Sequence, residues 1–195
     1  MIIGITGGTG CGKTTALDAI RELGGVVLDC DAIYHTLLQT DKSLLAAIDA
    51  RFPGTVENGQ LQRKKLGSVV FGDPAAMADL NRITHDSVCQ EVRRRLEPAP
   101  KLAAIDAIRL LESGLDQLCD LTVAVTAPEE VRVARLMERD GITADYARSR
   151  IQAQRPQSEY AALCDYVLEN DSTREAFRKK CLAFFREQVI IKENS

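Results

Sequence analysis

Short apolar runs and longer helical patterns alternate along the chain. The strand-like runs are residues 1–6, 26–29, 102–106, 121–126 and 165–170, and the first of them is rich in β-branched residues. After the first run, Ala16, Leu17, Ile20 and Leu23 recur at helical spacing, and Gly24 is a plausible helix stop. This alternation predicts an α/β protein.

Residues 42–97 break the alternation, because their pattern is mostly helical. Pro53-Gly54 and Gly72-Asp73-Pro74 interrupt it. The segment is too long for a simple connection between a strand and a helix. We interpret approximately residues 32–97 as an inserted helical subdomain that holds a second substrate. The Pro-Ala-Pro sequence of residues 98–100 indicates a linker. We interpret the three arginines at 93–95 as the solvated face of a helix.

The first strand-like run leads into a glycine-rich loop, residues 7–14, with the pattern G-x-x-x-x-G-K-T. Glycines allow positive φ and a close approach of the backbone to a ligand. Backbone N–H groups at the start of a helix bind phosphate, Lys13 can reach the β- and γ-phosphates, and the Thr14 hydroxyl can ligate Mg²⁺. We therefore predict a P-loop, the alternative being a glycine-rich turn with a chance Lys-Thr.

Three carboxylates follow strand-like runs, where ligands of open α/β sheets bind. Asp29 and Asp31 end or follow the second run, and either is a candidate to receive the proton of an acceptor hydroxyl. The alternative is that they cap the next helix. Asp106 ends the third run and is a candidate to orient Mg²⁺ through water, or is a turn residue.

The segment from Thr143 to Gln154 has helical spacing, and Arg148, Arg150 and Arg155 lie within or beside it. Arginines beside a glycine break predict a lid, approximately residues 139–160, that closes over phosphates. The alternative is an amphipathic helix with an exposed basic face.

Composition and charge narrow the function classes. The net charge of -3 gives no support for a nucleic-acid surface, and the apolar runs are too short to cross a bilayer. The first residues lead directly into the loop strand, so we expect no signal peptide. The six cysteines contain no C-x-x-C pair, which is typical of a protein in a reducing cytoplasm. Cys11, at a helix N-terminus, is predicted to have a lowered pKa.

The chain resembles the dephospho-CoA kinase family over nearly its whole length. The matching pieces are residues 4–14, 29–31, 59–63 with Leu66, 71–72, 80–81 with His85, Asp106 with 111–115, 135–136 with 139–140, 150–151 with Gln154 and Pro156, and Asp165 with Asn170.

The resemblance implies a five-stranded parallel sheet with helices on both faces, a helical CoA-binding part and a mobile lid. It implies ATP-dependent phosphorylation of the ribose 3′-hydroxyl of dephospho-CoA. From the residues themselves we expect a cytoplasmic protein that uses Mg²⁺ and binds neither nucleic acid nor membrane, and we expect it to be a monomer or a weak homo-oligomer. The candidate ATP-binding residues are Gly8, Gly10, Cys11, Gly12, Lys13, Thr14, Thr15 and, on the adenine side, Asn170.

Catalytic roles carry over to Lys13, to Asp31 as the base and to Arg139 as a lid contact to phosphate. The candidate acceptor-binding residues are Asp29, Arg63, His85 and Asp106. On its pattern alone, His85 is interpreted as a structural or surface residue.

The chain departs from the family pattern near the acceptor pocket. Asp86 follows His85 where proline is usual, and Ile108-Arg109 replaces a Pro-Leu pair. Two alternatives stay open: a kinase of another nucleotide or metabolite, and a P-loop regulatory module that hydrolyses nucleotide slowly. The guanine-binding pattern N-K-x-D is absent from the sequence.

Overall fold

A computed structural model describes residues 1–97 and 99–194. Of the predicted linker, Pro98 lies outside the described residues. The chain divides into two units, one within Met1–Leu28 and Ala99–Ser195 and the other within Asp29–Pro98.

The first unit is built on a five-stranded sheet with the order β2-β5-β1-β6-β7. Its strands are β1 (Ile2–Thr6), β2 (Val26–Asp29), β5 (Ala103–Asp106), β6 (Leu121–Thr126) and β7 (Tyr166–Glu169). β1 pairs in parallel with β5 and with β6, and β6 pairs in parallel with β7. The predicted α/β fold with a five-stranded parallel sheet is therefore confirmed.

The burial of the strands follows their position in the sheet. Five of the six residues of β6 are buried, as expected for a central parallel strand. At the sheet edge, Tyr166 and Val167 of β7 are exposed and only Leu168 is buried.

Five helices belong to this unit. They are α1 (Lys13–Glu22), α6 (Glu129–Asp140), α7 (Ala144–Gln152), α8 (Gln157–Leu163) and α9 (Arg174–Glu193). A 3₁₀ helix covers Leu115–Leu118. α1 ends two residues before Gly24, which has φ 78° as a helix stop requires. The 3₁₀ helix and α8 were not predicted.

The core of this unit joins the sheet to α1 and α9. Phe177 and Phe185 of α9 are fully buried in one cluster with Ile3 and Ile5 of β1 and Ile20 of α1. This packing fixes α1 against β1, and the glycine-rich loop connects these two elements.

The second unit is mostly helical, as its sequence pattern predicts. Its helices are α2 (Cys30–Thr40), α3 (Lys42–Arg51), α4 (Arg63–Val70) and α5 (Pro74–Leu96). α2 begins two residues earlier than its pattern predicts. Asp41 and Asp73 cap α3 and α5 through backbone N–H groups, and Leu44, Ile48 and Phe52 lie in the core of the unit.

A short hairpin interrupts the helices of the second unit. β3 (Val56–Glu57) pairs antiparallel with β4 (Gln60–Leu61) across Asn58-Gly59. Both turn residues have positive φ, 52° and 74°, which is typical of an Asn-Gly hairpin turn.

The arginines at the end of α5 are exposed, in agreement with their interpretation as a solvated face. Arg94 and Arg95 both donate to Glu91, and these hydrogen bonds lower the pKa of the Glu91 carboxyl to about 2. Among the described residues, no helix is both long enough and apolar enough to cross a membrane.

Candidate nucleotide-binding site

The glycine-rich loop has the backbone geometry of a phosphate-binding loop. Gly10 and Gly12 have φ of 76° and 97°, and each is approached closely from outside the loop. A Cβ at Gly10 would lie 3.0 Å from the carbonyl oxygen of Arg132, and one at Gly12 would lie 2.2 Å from Nδ2 of Asn170. Glycine is therefore required at both positions by conformation and by space.

The amides of this loop are available to a ligand. Gly10 and Gly12 are partly exposed, and no described residue accepts a hydrogen bond from their N–H groups. They lie at the N-terminus of α1, where the helix dipole favours an anion. Thr15 is less available, because its N–H donates to the Gly12 carbonyl at 3.0 Å.

The two polar side chains that the pattern predicts for phosphate and magnesium lie at the same place. Lys13 Nζ donates to the Gly7 carbonyl oxygen at 2.7 Å, so the ammonium folds back over the loop. Thr14, the next residue, is exposed in the first turn of α1.

Side chains from α6 and from the end of β7 bind the opposite side of the loop. Arg132 Nε donates to the Thr9 carbonyl at 2.9 Å, and Arg135 Nη1 donates to the Gly10 carbonyl at 3.3 Å. Asn170 Nδ2 donates to the Cys11 carbonyl at 2.8 Å, and its Oδ1 accepts from Arg135 Nη2 at 3.0 Å. Three successive carbonyl groups are thus held by donors from outside the loop.

Sequence reasoning did not single out Arg132 or Arg135 as site residues. Their spacing of three places them on one face of α6, but nothing local indicates that this face meets the loop. Asn170 was predicted on the adenine side, and the structure brings its side chain to the loop carbonyl at Cys11.

Two glutamines from the predicted lid region also contact the loop. Gln154 Oε1 accepts from the Thr9 N–H at 2.7 Å. Gln157 Oε1 accepts from Cys11 Sγ at 3.4 Å and from the Ala127 N–H at 2.8 Å. These contacts fix the ends of the α7–α8 connection to the loop.

The prediction of a lowered pKa for Cys11 is wrong. Cys11 is fully buried, and this burial raises the pKa of its thiol; the charges of Arg132 and Lys13 oppose the rise without overcoming it. The helix N-terminus therefore does not make Cys11 a reactive thiolate.

The carboxylates after the strands occupy different surroundings. Asp106 ends β5 and pairs in register with Ile5 of β1, which places it at the same sheet edge as the start of the loop. Asp29 Oδ1 accepts from the Ala32 N–H at 2.9 Å, so Asp29 caps α2, the alternative that its position left open. Asp31 is exposed in the first turn of α2.

Two candidate acceptor residues lie in the second unit. Arg63 is exposed at the start of α4, and its charge opposes the burial that raises the pKa of the Tyr34 hydroxyl. His85 is half-buried on α5.

The arginines of the predicted lid are held in ion pairs. Arg139 binds Asp140 with two hydrogen bonds of 2.7 and 2.9 Å, and Arg150 donates to the same carboxylate at 2.6 Å. These bonds lower the pKa of the Asp140 carboxyl. Arg148 pairs with Glu130 at 2.9 Å, and Arg155 pairs with Glu112 at 2.9 Å.

The donor set near the loop fits a magnesium ion that is bound together with a nucleotide. Thr14 offers a hydroxyl and Asp106 a carboxylate, which are hard oxygen ligands. Within residues 1–97 and 99–194, no group of three or more His, Cys, Asp or Glu side chains is arranged to hold a metal alone.

Comparison with known proteins decides the family. The family model described as dephospho-CoA kinase matches residues 1–175. The chain belongs to the dephospho-CoA kinase family.

Curated relatives agree with this assignment. The dephospho-CoA kinase of Syntrophotalea carbinolica is 37% identical over 195 residues, covering 97% of this chain and 92% of the relative. That of Geobacillus kaustophilus is 35% identical over 193 residues, covering 96% of both chains.

Solved structures agree in fold. The protein TT1252 of Thermus thermophilus is 32% identical with a TM-score of 0.78, covering 96% of this chain and 97% of that one. The dephospho-CoA kinase of Campylobacter jejuni is 24% identical with a TM-score of 0.71, covering 100% and 98%. A shikimate kinase of Bacteroides thetaiotaomicron is 15% identical with a TM-score of 0.57, covering 95% and 98%, so the fold is that of P-loop kinases.

Proposed function

We propose that this chain transfers the γ-phosphoryl group of ATP to the ribose 3′-hydroxyl of dephospho-CoA and releases CoA and ADP. The observation that carries the proposal is a loop with available amides at Gly10 and Gly12, in a chain whose family model is dephospho-CoA kinase. The relatives above carry the same printed name.

The loop binds the nucleotide in this proposal. The amides of Gly10 and Gly12 hold the phosphates, and Lys13 moves from the Gly7 carbonyl to the β- and γ-phosphates. Gly8, Cys11, Thr14 and Thr15 complete the loop. Because phosphoryl transfer has a loose transition state, positioning and charge stabilisation supply most of the catalysis.

The resemblance to the family supports the roles that we give to the residues that bind and activate dephospho-CoA. Asp31 follows β2 by two residues and receives the proton of the 3′-hydroxyl. Arg63, His85 and Asp29 belong to the second unit, which binds dephospho-CoA. Arg139 exchanges Asp140 for a phosphate oxygen, a change of partner that its exposed position permits.

Thr14 and, through water, Asp106 would hold Mg²⁺ together with the nucleotide, and the ion would supply positive charge against the phosphates. The residues of the chain then orient the two substrates and exclude water. Asn170 holds the loop carbonyl at Cys11, and its neighbourhood receives the adenine.

The test separates nucleotide binding from transfer. We expect Lys13→Ala to lower kcat by about 100-fold or more, because it removes the charge at the leaving phosphates. Asp31→Asn should lower kcat by about 100-fold while the dissociation constant of ATP stays within about twofold. The matched controls are Lys179→Ala and Asp18→Asn, which change exposed, ion-paired residues of α9 and α1.

The rates are measured as ADP release with and without dephospho-CoA. Turnover that is equal without dephospho-CoA would contradict the kinase assignment and favour a regulatory nucleotide hydrolase. Turnover with another nucleotide or metabolite but not with dephospho-CoA would contradict the acceptor alone. An unchanged kcat of Asp31→Asn would remove Asp31 as the base.

A further inference from the structure

Arg132 is a buried cation that lacks a carboxylate partner. Its side chain lies in α6 and the residue is 3% exposed. Nε donates to the Thr9 carbonyl at 2.9 Å and Nη2 donates to Gln154 Oε1 at 3.4 Å. No carboxylate of the described chain forms an ion pair with it. Buried charges are costly unless they are paired, so this arrangement needs a reason.

The groups around Arg132 are either uncharged or paired with another residue. Gln154 and the Thr9 carbonyl are uncharged, and burial raises the pKa values of Cys11 and Tyr160, which keeps both neutral. Glu112, whose charge like that of Arg132 acts on Tyr160, pairs with Arg155 at 2.9 Å. The positive charge of Arg132 is therefore compensated by dipoles only.

The guanidinium lies against the phosphate-binding loop itself. A Cβ built on Gly8 would lie 2.4 Å from Arg132 Nη2. A hydrogen bond holds each end of Thr9, since Gln154 accepts from its N–H at 2.7 Å and Arg132 donates to its carbonyl.

Arg132 binds the carbonyl of the Thr9–Gly10 peptide, and the N–H of the same peptide is the Gly10 amide that is available to a ligand. In a trans peptide the N–H points away from the C=O of the same unit, and the chain contains no cis peptide bond among its described residues. The Thr9 carbonyl points to Arg132, so the Gly10 N–H points to the opposite side. A cation on the carbonyl also polarises the amide and makes its N–H a stronger donor.

We propose that Arg132 is a phosphate-positioning residue whose unpaired charge is compensated by the polyphosphate of a nucleoside di- or triphosphate. It orients and polarises the Thr9–Gly10 peptide, and the Gly10 N–H binds the phosphate. The inference deepens the proposed function and rests on it, since it requires that the loop binds nucleotide phosphates.

A phosphate-positioning role and a purely structural role of Arg132 predict different effects on stability and on nucleotide binding. In the empty protein the charge of Arg132 has neutral hydrogen-bond acceptors but no anionic partner, so its removal does not lower stability. In the nucleotide complex the charge is compensated, so its removal weakens binding. If Arg132 only held α6 against the loop, its removal would lower the stability of the empty protein and would not weaken nucleotide binding specifically.

The experiment compares Arg132→Gln, which keeps a donor and loses the charge, with Arg132→Lys, which keeps the charge. Isothermal titration gives the dissociation constants of ADP and of adenosine, and thermal unfolding gives the Tm of the empty protein. Arg178→Gln is the matched control, because it removes a partly exposed arginine that pairs with Glu22 and Glu175 on α1 and α9.

We expect Arg132→Gln to raise the dissociation constant of ADP by about tenfold or more, to change that of adenosine by less than about twofold, and to leave the Tm without ligand at least as high as wild type. Arg132→Lys should stay within about threefold of wild type for ADP. Equal loss for ADP and adenosine, a wild-type affinity of Arg132→Gln for ADP, or its failure to fold would each overturn the inference. If the wild type binds no ADP, the proposed function fails instead.

Discussion

The Asn170→Ala substitution tests whether the loop is held from its carbonyl side. Asn170 is 3% exposed and makes two side-chain hydrogen bonds: Nδ2 donates to the Cys11 carbonyl at 2.8 Å, and Oδ1 accepts from Arg135 at 3.0 Å. Its backbone N–H donates to the Thr126 carbonyl at 2.8 Å, and alanine keeps that bond. The substitution therefore removes the side-chain contacts and leaves the end of β7 in place.

The magnitude follows from the two bonds. A neutral hydrogen bond contributes about 1 kcal/mol to stability, and one to a charged group contributes about 2 kcal/mol. The free energy of unfolding should therefore fall by about 3 kcal/mol. For a chain of this length each kcal/mol lowers Tm by about 2–4 °C, so we expect a fall of about 6–12 °C.

Thermal unfolding followed by circular dichroism measures this fall, and the ADP dissociation constant measured on the same protein should rise. Asn194→Ala is the matched control, because Asn194 is exposed at the C-terminal end of α9, where its Nδ2 donates to the Ile190 carbonyl. The control should change Tm by about 1 °C or less. If Asn170→Ala unfolds within about 1 °C of wild type and binds ADP equally well, Asn170 does not brace the loop.

Three further predictions concern a thiol, the core and a carboxylate. At pH 7.5, Cys11 in the native protein should react with iodoacetamide much more slowly than in the urea-unfolded chain, because burial raises its pKa; peptide mass spectrometry reads the labelling, and equal rates would contradict the burial. Phe177→Ala should cost about 3–5 kcal/mol in urea unfolding, since Phe177 is fully buried between α9 and the sheet, and a cost below about 1 kcal/mol would contradict this packing. Glu91 has its pKa lowered from 4.5 to about 2, so its contribution to stability is complete above pH 4.5 and is lost as pH falls towards 2. The free energy of unfolding of Glu91→Gln should therefore depend less on pH over that interval than that of the wild type. Equal slopes of this free energy against pH would contradict the lowered pKa of Glu91.

The strand, loop and helix around the P-loop were predictable because each signal is local. β-branched residues define β1, glycines define the turn, and the spacing of Ala16, Leu17 and Ile20 defines α1. The helix after β6 ends at Asp140, and the Gly141 that follows it, with φ 65°, is a helix stop that the sequence shows.

Weaker local signals explain the elements that were missed. The hairpin strands β3 and β4 have two residues each, too few to show alternation, although Asn58-Gly59 is a turn signal that identifies them afterwards. Likewise, α8 has seven residues of which only Tyr160 is buried, so it shows little periodicity.

The carbonyl side of the site was not predictable, because it depends on contacts between residues far apart in the chain. Arg132 and Asn170 lie 123 and 159 residues from the loop residues that they bind. The wrong prediction for Cys11 has the same origin. Its position at a helix N-terminus is visible in the sequence, whereas its burial against Gln157 is not.

The most direct test of the central claim is the product formed from ATP and dephospho-CoA by the wild-type protein with magnesium. Phosphorus NMR and mass spectrometry identify the product and the position of its new phosphate. We expect one ADP for each CoA formed, with the phosphate on the ribose 3′-oxygen, and formation that is slower by about 100-fold or more with Lys13→Ala. ADP formed without CoA, or a phosphate on any other atom, would contradict the account.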